Sequence, residues 1–191
     1  MKFLHECVDW LNSIATGVVL ALLLNMFVFQ PTIVAGNSMQ PTLENHDFIA
    51  VSKISHTFRR DPDYGDIVVI DSRVSRPRTW HDDITDPVFA FLNTTKIVPN
   101  DRQYLWVKRV IGKPGDVLEF KDGQVYRNGG ALNEPYIKET MIYTNAKKII
   151  VPQNSVFVMG DNRNNSADSR FIGPVPEDHI IGNVVFKVPR L

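Results

Sequence analysis

Hydrophobic and polar residues follow two different patterns along the chain. Residues 11–29 read LNSIATGVVLALLLNMFVF and contain no charged residue. A run of this length is close to what a helix needs to cross the hydrocarbon core of a bilayer. Pro31 follows the run, and proline breaks a helix because it lacks a backbone N–H and clashes with the preceding turn. The pattern therefore predicts one transmembrane helix over residues 11–30.

A cleaved signal peptide and a buried core helix are the alternatives for the same apolar run. Cleavage after Ala35 would place Ile33 at the −3 position, where a small residue is preferred. A core helix would usually show a polar stripe. We therefore expect an uncleaved signal anchor. Charge indicates little about its orientation, because Lys2 and the α-amino group lie on the same side as Glu6 and Asp9.

Beyond Pro31 the pattern changes to short segments rich in β-branched and aromatic residues. The predicted strands cover residues 32–35, 48–54, 66–72, 104–111, 117–120, 124–128, 155–160 and 183–188. Turn residues separate them, and Asp122-Gly123 between two strand-like runs is a strong hairpin signal. The sequence therefore predicts a mainly β, antiparallel domain over residues 31–191, built as two joined sheets or a folded half-barrel.

Residues 74–100 match neither pattern. They are rich in Arg, Pro, Asp and Thr around one apolar patch, residues 88–92. Segments of this length without helix or strand signals tend to be functional or mobile loops. We expect a loop or small insertion here.

Composition excludes several classes of function. Lys and Arg number 21, as do Asp and Glu, so the chain lacks the basic excess of an electrostatic nucleic-acid binder. The one cysteine, Cys7, precedes the apolar run, which leaves the β region without disulfides or thiolate metal sites. The five histidines are scattered, without metal-type pairing. We expect no nucleic-acid partner, no metal and no cofactor.

Ser38 lies in the segment AGNSMQPTL, residues 35–43, between a predicted strand and a Pro-Thr-Leu turn. A serine in such a turn is more often structural than catalytic, because its hydroxyl needs an adjacent base to become a nucleophile. Histidine is the commonest base, yet none of the histidines has a clear position relative to Ser38. The sequence must supply another candidate.

Lys108 is that candidate, because it stands inside the apolar strand-like run LWVKRVI, residues 105–111. Alternation places Lys108 and Arg109 on opposite faces of the strand, so one of the two cations points toward largely apolar surroundings. Burial lowers the pKa of a lysine, and a neutral amine is a competent base. On local sequence alone, a solvated lysine at a strand edge is the commoner case.

A third segment, GDNRNNSADSR at residues 160–170, follows the last strand but one. It brackets two serines with two Asp–Arg combinations, Asp161 with Arg163 and Asp168 with Arg170. From the residues alone, this is an ordered polar loop that could orient a catalytic group.

Together these segments resemble the bacterial type I signal peptidases, Ser/Lys proteases that remove signal peptides. The resemblance covers the apolar run and nearly all of the β region. It rests on four segments in the family's order, which are residues 37–43, 65–69, 107–116 and 160–170. It implies a β fold of the kind that signal peptidases share with self-cleaving repressors.

The resemblance also implies a role for each candidate residue. Ser38 would be the nucleophile and Lys108 the general base. The supporting residues would be Ser166, which orients the lysine amine, the ion pair Asp168 and Arg170, the loop-stabilising Asp161 and Arg163, and Arg109, which points away from the site. The oxyanion would be held by the Ser38 backbone N–H and a second donor. Some members place a serine two residues before the nucleophile; here Gly36 stands there and leaves the second donor open.

Substrates would bind as an extended strand against residues 33–36 and the strand near Val107. Pockets that admit small residues at −1 and −3 would be lined by Ile33, Val34, Met39, Leu43, Trp106 and Val107. The family implies a single-pass protein of the bacterial plasma membrane, with residues 1–10 in the cytoplasm and the catalytic domain outside. Its partners would be signal peptides, the lipid bilayer and the protein-export machinery.

Two other classes remain as alternatives. A self-cleaving Ser/Lys repressor would need a helix-turn-helix segment and no membrane anchor. A non-catalytic, membrane-anchored β module would not require Ser38, Lys108 and Ser166 together. The histidine-based microsomal branch of the signal peptidases is set aside because a lysine occupies the base position.

Overall fold

A computed structural model describes residues 2–54, 61–79, 81–82, 85 and 104–188. The helices whose bounds lie in these ranges are α1 (Lys2–Phe27), α2 (Ser169–Ile172) and a 3₁₀ helix, Glu177–His179. The strands are β1 (Phe29–Ile33), β2 (Phe48–Ser52), β3 (Ile67–Asp71), β4 (Leu105–Gly112), β5 (Val117–Lys121), β6 (Gln124–Arg127), β7 (Gly130–Ala131), β8 (Asn145–Ile150), β9 (Ser155–Met159), β10 (Val175–Pro176) and β11 (Ile180–Val188).

Helix α1 contains most of the predicted apolar segment but has different ends. It begins at Lys2 and ends at Phe27, so the prediction that Pro31 ends the helix is wrong. Residues 29 and 30 instead join Pro31 in β1, whose pairing with β2 supplies the backbone hydrogen bonds that a longer helix would have made. In the part of the chain that the structure describes, no helix has a stretch long and apolar enough to cross a membrane.

The strands form two antiparallel sheets, which confirms the predicted mainly β architecture. Seven strands pair in the order β1-β2-β11-β3-β4-β9-β10, and four pair in the order β7-β6-β5-β8. A turn at residues 113–116 leads from β4 in the first sheet to β5 in the second. The prediction of two joined sheets is therefore confirmed.

Strands with β-branched and aromatic residues were predictable, whereas three others were not. The predicted strand at residues 32–35 begins three residues earlier, as β1. The missed strands β7 and β10 have two residues each. They count as strands only because they pair with β6 and β9, respectively. Strand β8 reads NAKKII and lies at the edge of its sheet with exposed lysines, so it lacks the alternation of a half-buried strand.

The hairpin predicted at Asp122-Gly123 is present between β5 and β6. Lys121 pairs with Gln124, which leaves two residues in the turn. Both have positive φ, 53° for Asp122 and 74° for Gly123. This is the geometry that favours Asp-Gly in two-residue hairpins.

The cores of the two sheets place the elements that carry the candidate residues. Val69 and Val107 belong to one hydrophobic cluster, and Val68 and Val110 belong to another. Because neighbouring strand residues point to opposite faces, the two clusters lie on opposite sides of the β3–β4 pair. A third cluster around Phe120 forms the core of the smaller sheet. Strand β4 is thus held from both faces.

The predicted loop over residues 74–100 lies for the most part outside the described residues. Its described beginning is held by ion pairs at the end of β3. Buried Asp71 accepts hydrogen bonds from Arg73 and Arg78, and Arg76 pairs with Asp82 at 2.8 Å.

Candidate active site

Ser38 and Lys108, 70 residues apart in the chain, lie within hydrogen-bond distance of each other. The Lys108 Nζ atom is 2.7 Å from the Ser38 Oγ atom. Lys108 projects from β4 and is only 3% exposed, whereas Ser38 is half-buried in the turn that follows β1. A buried amine in contact with a hydroxyl is the arrangement that can activate a serine.

The turn that carries Ser38 is built from local backbone bonds. Val34 continues the pairing of β1, since its N–H donates to Asp47 O at 2.9 Å. Gly36 has a φ of 104°, a left-handed conformation that favours glycine, and it redirects the chain. The turn then closes with the Leu43 N–H bonded to Met39 O at 2.9 Å. These bonds hold the backbone on both sides of Ser38.

The environment of Lys108 lowers its pKa to about 8. Burial is the largest cause, because it disfavours the charged ammonium. The Asp168 carboxylate opposes this effect, and the Arg170 guanidinium adds to it. Besides Ser38, the amine contacts Val107 O at 3.0 Å. A large fraction of Lys108 is therefore neutral near pH 8, with a lone pair available for the hydroxyl proton.

Asp168 and Arg170 form the ion pair that the sequence predicts. Their Oδ2 and Nη2 atoms are 2.7 Å apart, and both side chains are buried. Asp168 also caps α2 through the Arg170 N–H and accepts the Gly160 N–H at 3.0 Å. One carboxylate thus ties the beginning of the polar loop to its end.

Asp161 and Arg163 stand two residues apart in the polar loop, and each forms an ion pair with a different partner. Asp161 forms a two-pronged ion pair with Arg109, with distances of 2.8 and 2.6 Å, and accepts from Thr42. Arg163 pairs with Glu134 at 2.9 and 2.6 Å. Both partners are remote in sequence, and they satisfy these charges better than a neighbour two residues away in the same loop.

Arg109 points away from the Ser38–Lys108 pair, as the resemblance implies, but it is also buried. Its guanidinium packs over the Tyr136 ring and donates to Gly65 O. Both cations of β4 are therefore buried, Arg109 with a counter-ion and Lys108 without one among the described residues.

Ser166 lies near the pair but is not hydrogen-bonded to Lys108 within the described residues. Its hydroxyl donates to Ala167 O at 3.4 Å. A Cβ atom on Gly160 would clash with both Ser166 Oγ and Ser38 O. Gly160 therefore allows the polar loop and the Ser38 backbone to approach each other closely.

The six residues predicted to line the substrate pockets fall into two groups. Val34, Met39 and Leu43 are only 4%, 1% and 2% exposed and belong to the core cluster beneath the Ser38 turn. They can shape the site only from below. Ile33 is exposed, and Trp106 and Val107 are half-buried, so these three offer surface to a ligand.

The two candidate oxyanion donors differ. The Gly36 N–H donates to Asn45 Oδ1 at 2.9 Å, so it is already engaged. In the described ranges, the Ser38 N–H has no acceptor. Of these two amides, that of Ser38 is therefore the one left without an acceptor among the described residues.

Several residues of the site were missed by sequence reasoning. Glu134 and Asn45 stand in turn-rich segments without a distinctive pattern, and their partners are remote in the chain. Asn162 lies inside the polar loop that the sequence singles out, which was the one available signal.

Comparison with known proteins gives a consistent result. Residues 7–188 match the family model described as signal peptidase, peptidase S26. The probable signal peptidase I-1 of Synechocystis sp. is 39% identical over 171 residues, which cover 90% of this chain and 76% of that protein. Signal peptidase I S of Bacillus subtilis is 35% identical, covering 85% of this chain and 77% of that protein. A crystal structure of a signal peptidase I from Enterococcus faecalis aligns with a TM-score of 0.43 and 23% identity, covering 66% of this chain and 98% of that one.

We expect Lys108→Met to be more stable than the wild type at neutral pH. The folded-state pKa of Lys108 is lowered from 10.5 to about 8, so below pH 8 the folded protein carries a disfavoured buried charge. The difference in pKa corresponds to about 3 kcal/mol in the free energy of unfolding. The penalty is fully present below pH 8 and fades as the pH rises to 10.5, where the unfolded chain also loses the proton.

Urea unfolding at pH 7 and at pH 10 measures this effect. Lys121→Met, which removes a half-exposed lysine from the β5–β6 hairpin, is the matched control and should change stability little at either pH. Equal or lower stability of Lys108→Met at pH 7 would contradict a disfavoured charge at this position.

Proposed function

The chain belongs to the signal peptidase family, peptidase S26, and on that premise we propose that it cleaves signal peptides from exported preproteins with a Ser38–Lys108 dyad. Membership of the family makes it a serine peptidase. The cleavage would follow small residues at −1 and −3. The observation that carries the assignment of the dyad is the 2.7 Å contact between a buried lysine amine and a serine hydroxyl.

In the first step, neutral Lys108 takes the proton of Ser38 as Oγ attacks the scissile carbonyl carbon. The protonated amine then delivers this proton to the leaving nitrogen, the peptide bond breaks, and an acyl-enzyme ester remains. In the second step, Lys108 takes a proton from water, which attacks the ester. Return of the proton to Ser38 Oγ releases the new carboxyl end and restores the enzyme.

The supporting residues have two proposed tasks. Asp168 and Arg170 hold the polar loop and balance the charge beside Lys108. The ion pair of Asp161 with Arg109 fixes the loop to β4. The ion pair of Arg163 with Glu134 fixes the same loop to the segment that follows β7. The proposed task of Ser166 is to orient the lysine amine. The free Ser38 N–H is the proposed oxyanion donor.

The substrate would add a strand to the open edge of β1. The N–H and C=O groups of Val34 bond toward β2, through Asp47 O and the His46 N–H. Backbone groups alternate in direction along an antiparallel strand, so those of Ile33 and Ala35 face the open edge. On the other side, β9 pairs with β4 only from Arg109 onward, which leaves the edge at Val107 open. An extended signal-peptide segment fits between these two edges.

We also propose that the protein is bound to a membrane through residues 11–29. This proposal is supported by the absence of charge in that segment and by the exposed apolar side chains of α1, among them Leu11, Val19 and Leu20. Membrane binding would give the enzyme access to signal peptides at the bilayer surface and to the export machinery that delivers them.

One face of the larger sheet supports the same proposal. Paired residues point to the same side of a sheet, and register places one apolar row across β1, β2 and β11. The row consists of Ile33, Phe48 and Val188, with Phe186 beside it. All four side chains are exposed, and β1 follows directly on α1. We propose that this face rests against the lipid next to the anchor.

We expect the purified protein in detergent to cleave a preprotein that carries an Ala-x-Ala site. Ser38→Ala removes the nucleophile and Lys108→Met removes the base, so each should lower kcat by at least about 10³-fold. The control is Thr140→Ala, which lies beside the β5–β6 hairpin of the smaller sheet and away from the dyad. Gel-based and mass-spectrometric analysis of the products measures both rate and cleavage site. Full activity of either dyad variant would overturn the assignment.

We expect kcat/KM to rise with pH and to reach half its maximum near pH 8, since the neutral form of Lys108 is the base and its pKa is about 8. Replacing Arg170 by Met removes a charge that lowers the pKa of Lys108, so the midpoint should move to higher pH. Arg127→Met, which removes a cation from the smaller sheet, should leave the midpoint in place. A midpoint that Arg170→Met moves to lower pH would contradict this electrostatic account.

Membrane binding is tested by extraction of cell membranes with alkaline carbonate. The wild type should stay in the membrane pellet, whereas the double variant Leu20→Arg/Leu23→Arg should be released, because each arginine costs roughly 3 kcal/mol near the centre of a spanning helix. The control Ile142→Arg/Ile150→Arg places the same charges on exposed positions of the β domain and should stay in the pellet. Release of the wild type would contradict the anchor.

A further inference from the structure

Asn162 holds both peptide groups that flank Ser38. Its backbone N–H donates to Ser38 O at 3.0 Å, and its Nδ2 atom donates to Asn37 O, also at 3.0 Å. Asn162 is only 3% exposed, so water does not compete strongly for these bonds. Two consecutive carbonyl groups of the Ser38 turn are therefore bound by a single residue of the polar loop.

The bond to Asn37 O determines where the Ser38 N–H points. A trans peptide group is planar, and its C=O and N–H bonds point in opposite directions. Asn37 O accepts from Asn162 Nδ2 on one side and from the Gln40 N–H, at 3.3 Å, on another. The plane of the Asn37–Ser38 peptide is thus fixed, and the Ser38 N–H is directed away from Asn162.

In this chain, stabilisation of the oxyanion would depend mainly on the Ser38 N–H. The Gly36 N–H is engaged by Asn45, and glycine has no hydroxyl to offer as a second donor. In the residues that the structure describes, the Ser38 N–H has no other acceptor. An oxyanion donor must be aimed before the charge develops, since its value lies in avoiding reorganisation during the reaction.

We propose that Asn162 is a positioning residue that aims the Ser38 N–H at the oxyanion of the tetrahedral intermediate. Its hydrogen bond to Asn37 O also polarises the same peptide group, which makes the N–H a stronger donor. Its backbone hydrogen bond to Ser38 O fixes the plane of the next peptide group, Ser38–Met39. With the peptide groups on both sides fixed, the Ser38 side chain leaves the backbone in a defined direction, toward Lys108. This inference rests on the proteolytic function proposed above.

Asn164 offers a matched control in the same loop. Its side chain also bridges two backbone groups, since Nδ2 donates to Thr140 O and Oδ1 accepts the Ile142 N–H. Neither group belongs to the Ser38 turn. A purely structural role of loop asparagines would give similar effects at both positions.

The test compares Asn162→Ala and Asn162→Asp with Asn164→Ala in the preprotein cleavage assay. Asp keeps the size of the side chain but replaces the donating Nδ2 by an acceptor. We expect both Asn162 variants to lose roughly 10²-fold in kcat, near the effect of removing one oxyanion donor, with KM unchanged. The pH midpoint should stay in place in the uncharged variant Asn162→Ala, whereas the new carboxylate of Asn162→Asp raises the pKa of Lys108. Asn164→Ala should stay within about twofold of the wild type, which is small against the loss that the oxyanion contact predicts.

Binding of a peptide boronate separates positioning of the oxyanion donor from a general distortion of the site. The boron atom bonds to a serine Oγ and forms a tetrahedral adduct with an oxygen at the oxyanion position. Its affinity should fall in the Asn162 variants by the same factor as kcat/KM, while an uncleavable peptide binds as to the wild type. Equal weakening of both ligands, or a shifted pH midpoint in Asn162→Ala, would overturn the inference.

Failure of the inference and failure of the proposed function give different results. A folded wild type that does not cleave the preprotein contradicts the function, whereas a cleaving wild type with Asn162 variants of near-normal kcat contradicts only the role of Asn162. Circular dichroism establishes that each variant is folded.

The wild type provides a check without substitution. In NMR spectra of the boronate adduct, the backbone amide proton of Ser38 and the side-chain amide protons of Asn162 should both move downfield. Unchanged positions of both would overturn the inference.

Discussion

A lysine amine without a counter-ion, held inside a β-sheet protein against a serine hydroxyl, is the constraint on which the rest of the site depends. Lys108 is 3% exposed, and no carboxylate lies within salt-bridge distance among the described residues. Burying a cation without a counter-ion is costly, so burial favours the neutral amine and lowers the pKa of the lysine. Strand β4 has to be rigid enough to prevent the amine from reaching water, and the hydrophobic clusters on both of its faces provide that rigidity.

The paired charges around Lys108 serve the same constraint. Asp161 and Asp168 both raise the pKa of Lys108, whereas the Arg170 guanidinium lowers it. Each carboxylate is bound to an arginine, Arg109 for the first and Arg170 for the second. At the amine, the Arg170 guanidinium therefore opposes the charge of the carboxylate that it binds. Burial thus remains the largest influence on the pKa of Lys108, although the site contains many ionised side chains.

Much of the fold could be predicted from the sequence because its central strands carry a clear pattern. Runs such as residues 66–72 and 155–160 are rich in β-branched residues, and Asp122-Gly123 specifies its own turn. Strand β8 carries lysines at an exposed edge, and its place depends on β5. The end of α1 was misplaced because pairing of Phe29 and Gln30 with β2 prevails over the local helical signal.

The candidate site was predictable only in part, for a related reason. Alternation in β4 indicated a buried cation but could not choose between Lys108 and Arg109, and both are buried. The partner of Arg163 is Glu134, 29 residues away, and no local pattern connects them. The 2.7 Å contact between Ser38 and Lys108 depends on a fold that brings together positions 70 residues apart. Motif order suggested the combination, whereas its geometry required the tertiary structure.

Pro31 has a further consequence at the open edge of β1. The residues of β1 that face β2 are Gln30 and Thr32, so the missing N–H of Pro31 lies on the outer side, where a proline is tolerated. An incoming strand finds donors at Ile33 and Ala35 but none at Pro31. A peptide that slid two residues toward the anchor would lose a hydrogen bond, worth about 1 kcal/mol. If the substrate adds a strand to β1 as proposed, Pro31 would act as a register stop, which would favour one alignment of an extended chain and so one cleavage position over its neighbours.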